Sequence, residues 1–124
     1  MTFGAVEGTR ACLGRAGPRS LAAGRPDGVA GGSGLGFDGG VMLAAALGGC
    51  FRSDPHYVAA KAGVAVEVRS VTATVEVDGD PLLVRRGRIA AELEGAGHTA
   101  PRSVFDGACR STVANSIARA GDLD

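Results

Sequence analysis

The sequence predicts an α+β fold with helices packed on antiparallel sheet. Three observations carry this expectation: alternation of apolar and polar residues between 64 and 94, an uncharged Ala- and Leu-rich run starting at Gly39, and a second helical pattern from Ser103 to Ala120. Strands, a helix, a hairpin and a helix in that order describe an α+β domain rather than repeated β–α units.

Residues 1–23 alternate weakly, with Gly14, Gly17 and Pro18 as punctuation, and read as N-terminal strands joined by turns. Residues 24–40, GRPDGVAGGSGLGFDGG, form a glycine-rich loop. Residues 41–62 lack β-branched side chains between Val41 and Val58 and predict a helix. Its first half is apolar all round, which predicts burial rather than an amphipathic surface position. Asp54-Pro55 is expected to kink or divide it, because proline removes a helix hydrogen bond. Gly63 is the expected stop.

Residues 64–94 predict a long hairpin turning at Asp78-Gly79-Asp80-Pro81. Val71, Ala73, Val75 and Val77 share one face of its first strand. Leu83, Ile89, Ala91 and Leu93 face inward on the second, with Arg86, Arg88, Glu92 and Glu94 outward. After a loop to Pro101, Val104, Ala108, Val113 and Ile117 mark a C-terminal helix over 103–120. Ser103 and Asp106 fit its cap and capping-box acid, and Gly121 fits its stop.

A chain of 124 residues predicts a single domain spanning 1–124. Thirteen basic residues balance thirteen acidic ones, and the arginines are scattered, so no cationic groove for nucleic acid is expected. The longest uncharged run, Gly39 to Phe51, falls well short of the ~20 residues that span a bilayer. No basic segment leads an apolar stretch at the N-terminus, so no membrane association and a cytoplasmic location are expected. Twenty-one glycines, no tryptophan and four phenylalanines leave a core of Val, Leu and Ala. So small a core favours a homodimer that shares it.

Three cysteines without a secretory signal are expected to be free, catalytic or redox-active rather than structural. There is no CxxC pair, and His56 and His98 are isolated, so no metal site is expected. Gly34-Leu35-Gly36-Phe37-Asp38-Gly39 matches GxGxxG, but a loop rather than a strand precedes it, and it reads as the entry to the helix. Cys12 reads as a small core residue on a strand. Cys50 and Cys109 each sit in a helical segment with an arginine at once or nearly so behind, in Cys50-Phe51-Arg52 and Cys109-Arg110. A nearby guanidinium favours the reactive thiolate. Two such thiols brought together could cycle between dithiol and disulfide.

The stretches GGSGLGFDGGVMLAAALGGCF, AAKAGVAVEVRSVTATVEVDGD and DGACRSTVANSI, in that order, resemble the OsmC/Ohr family of thiol-dependent hydroperoxide reductases. The resemblance covers roughly residues 31–118. It implies an OsmC-like fold, antiparallel sheets with two central helices, in an intertwined homodimer with active sites at the subunit interface. It implies that Cys50 takes oxygen from an organic hydroperoxide as a thiolate, that Cys109 resolves the sulfenic acid, and that an external dithiol reduces the disulfide, without a cofactor. The family also carries an N-terminal arginine near the reacting cysteine. Of Arg10, Arg15, Arg19 and Arg25, Arg25 is the choice because it leads into the glycine loop. The chain departs from the family at Gly39-Gly40, where many members have Pro-Glu, and at Cys109-Arg110, where many have Cys-Pro. The alternatives are an OsmC-like module binding an apolar ligand at the dimer interface, or a thiol redox sensor.

Light scattering is expected to show a dimer at micromolar concentration. A stable, folded monomer would reject that expectation.

Overall fold

The computed structural model describes residues 1–120 and 122–123, so the expected helix stop at Gly121 lies outside the described residues. The chain forms two compact units, 1–42 and 43–124. The architecture is α+β, as the sequence predicts.

The first unit is an antiparallel sheet in the order β1 (Thr2–Ala5), β2 (Cys12–Ala16), β3 (Arg19–Ala23). Residues 24–38 connect it to the helix, as the glycine content requires. Within this loop Phe37 returns to make a single parallel bridge with Ala23.

Helix α1 (Gly39–Ala62) begins two residues earlier than expected, because Asp38 caps it. The Val41 N–H donates to Asp38 Oδ1 at 2.9 Å, satisfying one of the unpaired donors of the first turn. The helix ends at Gly63, whose φ of +68° closes the last turn. There the N–H of Val64 donates to the Ala59 carbonyl at 3.0 Å, and that of Gly63 to Ala60 at 3.3 Å. Between these caps α1 is one continuous element. Pro55 sits inside it rather than dividing it, and its ring is fully buried. Burial of that apolar ring compensates for the missing donor. The expectation that the first half is buried all round is not met within this chain. Leu47, Phe51, Pro55 and Ala59, spaced by four, form one buried stripe, whereas Ala45, Ala46 and Gly49 are exposed.

In the second unit β4 (Val66–Asp78) and β5 (Leu83–Gly95) form the expected antiparallel hairpin, and β6 (Asp122–Leu123) adds in parallel to β5. Two irregularities set its register. Arg69 is the extra residue between Val68 and Ser70, and its guanidinium reaches Glu67 at 3.0 Å and Glu94 at 2.7 Å. Near the turn, Glu76 pairs with Arg86 but Val77 pairs with Val84, leaving Arg85 unmatched. An extra residue flips the side-chain phase of everything beyond it. Val84 therefore packs on the core in place of Leu83, which stays 53% exposed, and Val77 is 44% exposed. The exposure of Leu83 follows from that bulge, whereas Val77 keeps the phase of Val75 and is exposed at the end of β4 beside the turn.

The expected helix over 103–120 is two helices, α2 (Thr99–Ala108) and α3 (Thr112–Ala120). α2 starts before Ser103, with Pro101 in its first turn, where a missing N–H costs nothing. Ser103 is thus helix interior rather than cap, and Asp106 pairs with Arg102 at 3.4 Å instead of closing a capping box. α3 has its own start: the Ala114 N–H donates to Ser111 Oγ at 3.3 Å, and Asn115 Nδ2 donates to the Arg110 carbonyl at 2.8 Å.

Leu47 and Phe51 of α1, Ile89 of β5, Ala108 of α2, and Ala114 and Ile117 of α3 form the core. Val71, Ala73 and Val75 pack against it from β4. The Phe51 ring meets Phe105 at 5.2 Å between centroids, tilted by 60°, a favoured aromatic geometry. Beside it α1 and α2 approach so closely at Val58 that a Cβ on Gly107 would lie 2.7 Å from Val58 Cγ1. Among the described residues no helix is long and apolar enough to cross a membrane.

Phe51→Ala is expected to destabilise the protein by roughly 3–5 kcal/mol, since it opens a cavity at the centre of this cluster. Ser111→Ala should cost about 1 kcal/mol through the lost cap. Urea unfolding of the two variants checks both values and their order.

Candidate functional site

The site follows from how α1 meets the core. Its buried stripe runs through Leu47 and Phe51, and Cys50, one residue from Phe51, falls on the stripe's flank. That placement leaves the Cys50 thiol half-buried and free. One helical turn further on lies Asp54, also half-buried, because residues four apart stack on one helix face. The Cys50 Sγ–H donates to Asp54 Oδ2 at 3.4 Å. The arginine expected beside this thiol is used elsewhere: Arg52 Nη1 lies 2.9 Å from His56 Nε2 on the exposed face. The polar partner of Cys50 is thus a carboxylate, not a guanidinium.

Cys109 is the C-cap of α2, in αR geometry, and its N–H donates to the Phe105 carbonyl at 3.0 Å. It is free, half-buried and packed against the core cluster that includes Leu47 and Phe51. Burial pushes the Cys109 thiol above its ordinary range, and the nearby Asp106 carboxylate pushes it further the same way. Both effects penalise the thiolate.

The second unit therefore carries both expected cysteines on elements that touch through Phe51 and Phe105. Arg25 lies in the loop of the first unit, with an exposed side chain and a carbonyl that accepts the Gly34 N–H at 3.3 Å. Cys12 opens β2, half-buried, opposite Ala5 and Ala23. Asp38, the acid nearest to Gly39-Gly40, is engaged as the helix cap. Asp54 is the residue sequence reasoning missed. The signal was the four-residue spacing Cys50–Asp54, read there only as part of a proline break.

An open groove of 590 Å³ runs past His56, Ala59, Val64, Glu67 and Glu94, with no cysteine in its wall.

The second unit is thus an α+β arrangement with two half-buried free thiols, Cys50 and Cys109, on helices packed beside an antiparallel hairpin. Residues 31–123 match the family of OsmC-like proteins, and the chain belongs to that family. No curated protein matches the sequence. Among solved structures, one from Psychrobacter arcticus, named for osmotic stress induction and a detoxification response, has a TM-score of 0.75 at 18% identity, over 100% of this chain and 93% of that one. An OsmC-like protein of unknown function from Vibrio cholerae has a TM-score of 0.71 at 18% identity, over 93% of this chain and 82% of that one. An organic hydroperoxide resistance protein OsmC from Legionella pneumophila has a TM-score of 0.61 at 19% identity, over 98% of this chain and 96% of that one. The family match starts after Arg25.

With its proton held by burial and by Asp106, Cys109 should be alkylated more slowly than an unperturbed thiol, whose pKa is about 8.5. Its labelling by iodoacetamide should rise only at higher pH. Asp106→Asn should move that rise to lower pH, as mass spectrometry across a pH series would show.

Proposed function

We propose that the protein is a thiol-dependent hydroperoxide reductase in which Cys50 is the peroxidatic residue and Cys109 the resolving one. The single observation that carries this reading is the pair of free thiols on two packed elements of one unit, within a chain of the OsmC-like family. The name of the Legionella pneumophila relative points to the same chemistry.

The steps balance. The Cys50 sulfur attacks the terminal oxygen of the hydroperoxide, the O–O bond breaks, and Cys50 becomes a sulfenic acid as the alcohol leaves. The Cys109 sulfur then displaces hydroxide from the sulfenic sulfur, giving a disulfide and water. An external dithiol reduces the disulfide by exchange and restores both thiols. The division of labour fits the environments: Cys109 is held protonated by burial, which keeps it from competing for the oxidant. Apolar surroundings, Leu47 and Phe51 among them, suit an organic hydroperoxide better than a charged substrate. We place the reaction in a homodimer, with Arg25 as the supporting arginine.

A second reading, a module that binds an apolar ligand with little turnover, is favoured by one observation. The positions that hold Pro-Glu in many relatives are Gly39 and Gly40, and the adjoining Asp38 is committed to the cap.

The two cysteine variants separate these readings. Cys50→Ser should abolish consumption of cumene hydroperoxide. Cys109→Ser should consume about one equivalent and stall as a sulfenic acid that dimedone traps. Wild type treated with the hydroperoxide should yield a Cys50–Cys109 disulfide by mass spectrometry. Equal, slow consumption by all three proteins would overturn the peroxidase reading.

A further inference from the structure

Asp54 has no part in the scheme above, yet its carboxylate is the acceptor that holds the Cys50 proton, at 3.4 Å. Among the described residues it is drawn into no ion pair, while the neighbouring cation, Arg52, is turned to His56. On the elements that build the same core, α2 carries the Arg102–Asp106 pair, and β4 and β5 present Val71, Ala73, Val75, Ile89 and Ala91. Asp54 is therefore a half-buried carboxylate whose side-chain partner is the reacting thiol. A thiol and a carboxylate in this arrangement form a donor–acceptor pair along which a proton can move.

Building on the peroxidatic reading of Cys50, we propose that Asp54 is the proton carrier of the reaction: it takes the Cys50 proton as sulfur attacks the hydroperoxide and delivers it to the departing alkoxide. The bookkeeping is complete. The S–H and O–O bonds break, S–O forms, and the sulfur electron pair goes to the terminal oxygen, which keeps its own hydrogen as the sulfenic hydroxyl. The O–O pair leaves on the alkoxide, which takes the proton from Asp54 and departs as an alcohol. The carboxylate ends as it began. Sulfur is oxidised and the peroxide reduced, with no further reactant. A carboxylate is a weak base towards a resting thiol, so transfer completes only once sulfur commits its electrons to oxygen. That coupling makes the reaction depend on a substrate whose leaving group needs a proton.

Two readouts distinguish this role from a structural one. Alkylation by iodoacetamide needs the Cys50 proton removed but none delivered to the departing iodide, so Asp54→Asn should slow it at Cys50 less than it slows peroxide reduction. The same variant should reduce tert-butyl hydroperoxide roughly 100-fold more slowly, the scale of a lost acid–base group. Its deficit should shrink for hydroperoxides whose alcohols are more acidic. Between about pH 5 and 7, peroxide reduction by wild type should be nearly flat, because the carboxylate supplies the proton path. In Asp54→Asn it should climb about tenfold per pH unit, as expected when only preformed thiolate reacts. His56 lies on the same helix two residues beyond Asp54, so both profiles are repeated in the His56→Gln background, where the contrast should persist. The profile of unmodified protein needs no variant to fold: a tenfold-per-unit climb in wild type overturns the proposal. So does an Asp54→Asn variant that reduces tert-butyl hydroperoxide at the wild-type rate or faster. In either case loss of activity in Cys50→Ser would leave the peroxidase reading standing. Activity unaffected by Cys50→Ser would instead remove that reading, and this proposal with it.

Discussion

Among the described residues Phe51 is the largest side chain that is completely buried, and the second unit is assembled around it. With no tryptophan, and with alanines supplying much of the remaining core, few other residues could fill the space between a helix and a sheet. Phe51 reaches Phe105 on α2 and joins Leu47, Ile89 and Ile117 in one cluster. The orientation of α1 about its own axis follows from that contact. Once residues 47, 51, 55 and 59 face inward, 52, 53, 56 and 57 must face out, and 50 and 54 must lie at the stripe's edge.

The proposed chemistry rests on that rotation. A thiol at the centre of the stripe would be inert, and one on the outer face would meet bulk solvent; Cys50 is at neither. Half burial also strengthens its bond to Asp54, since a carboxylate removed from water acts in a lower dielectric. The same cluster positions the second thiol. α2 closes on α1 at Gly107 and stops one residue later, so Cys109 caps the helix against the core while Arg110 stays exposed. Burial and Asp106 then hold the Cys109 proton in place. The two thiols are alike in sequence context and unlike in environment, and the division of steps proposed for them rests on that difference.

The hairpin gives this arrangement its floor. Its bulge at Arg69 is tied along β4 to Glu67 and across to Glu94 of β5, and the Arg69 guanidinium and the Glu94 carboxylate each favour the other's charged form. Its second irregularity turns Val84 inward, so that Val75, Val84 and Ile89 present a continuous apolar surface to the helices. On the opposite side of α1, the uncharged residues Ala45, Ala46 and Gly49 are left exposed. A second subunit sharing the core, as proposed, would place these small side chains where close helix approach is possible.

The sequence by itself determined the fold class, the hairpin and its turn, the helix stop at Gly63, and the two cysteines with their family resemblance. These are local or ordered signals: period-two alternation, a glycine that alone suits a left-handed cap, and motifs in a set succession. What it left open depended on contacts between distant residues. The long C-terminal pattern kept one apolar periodicity through residues 103–120, and only packing revealed the break at Ser111. Pro55 looked like a division of α1 because its burial cannot be read locally. Leu83 and Val84 are both plausible inward residues until the bulge selects one. The arginine two residues after Cys50 suggested a thiolate partner, but residues two apart on a helix point about 200° apart, and the side chain that shares the face of Cys50 is four residues on. Tertiary structure decided the rotation of α1, and with it the carboxylate that the thiol meets.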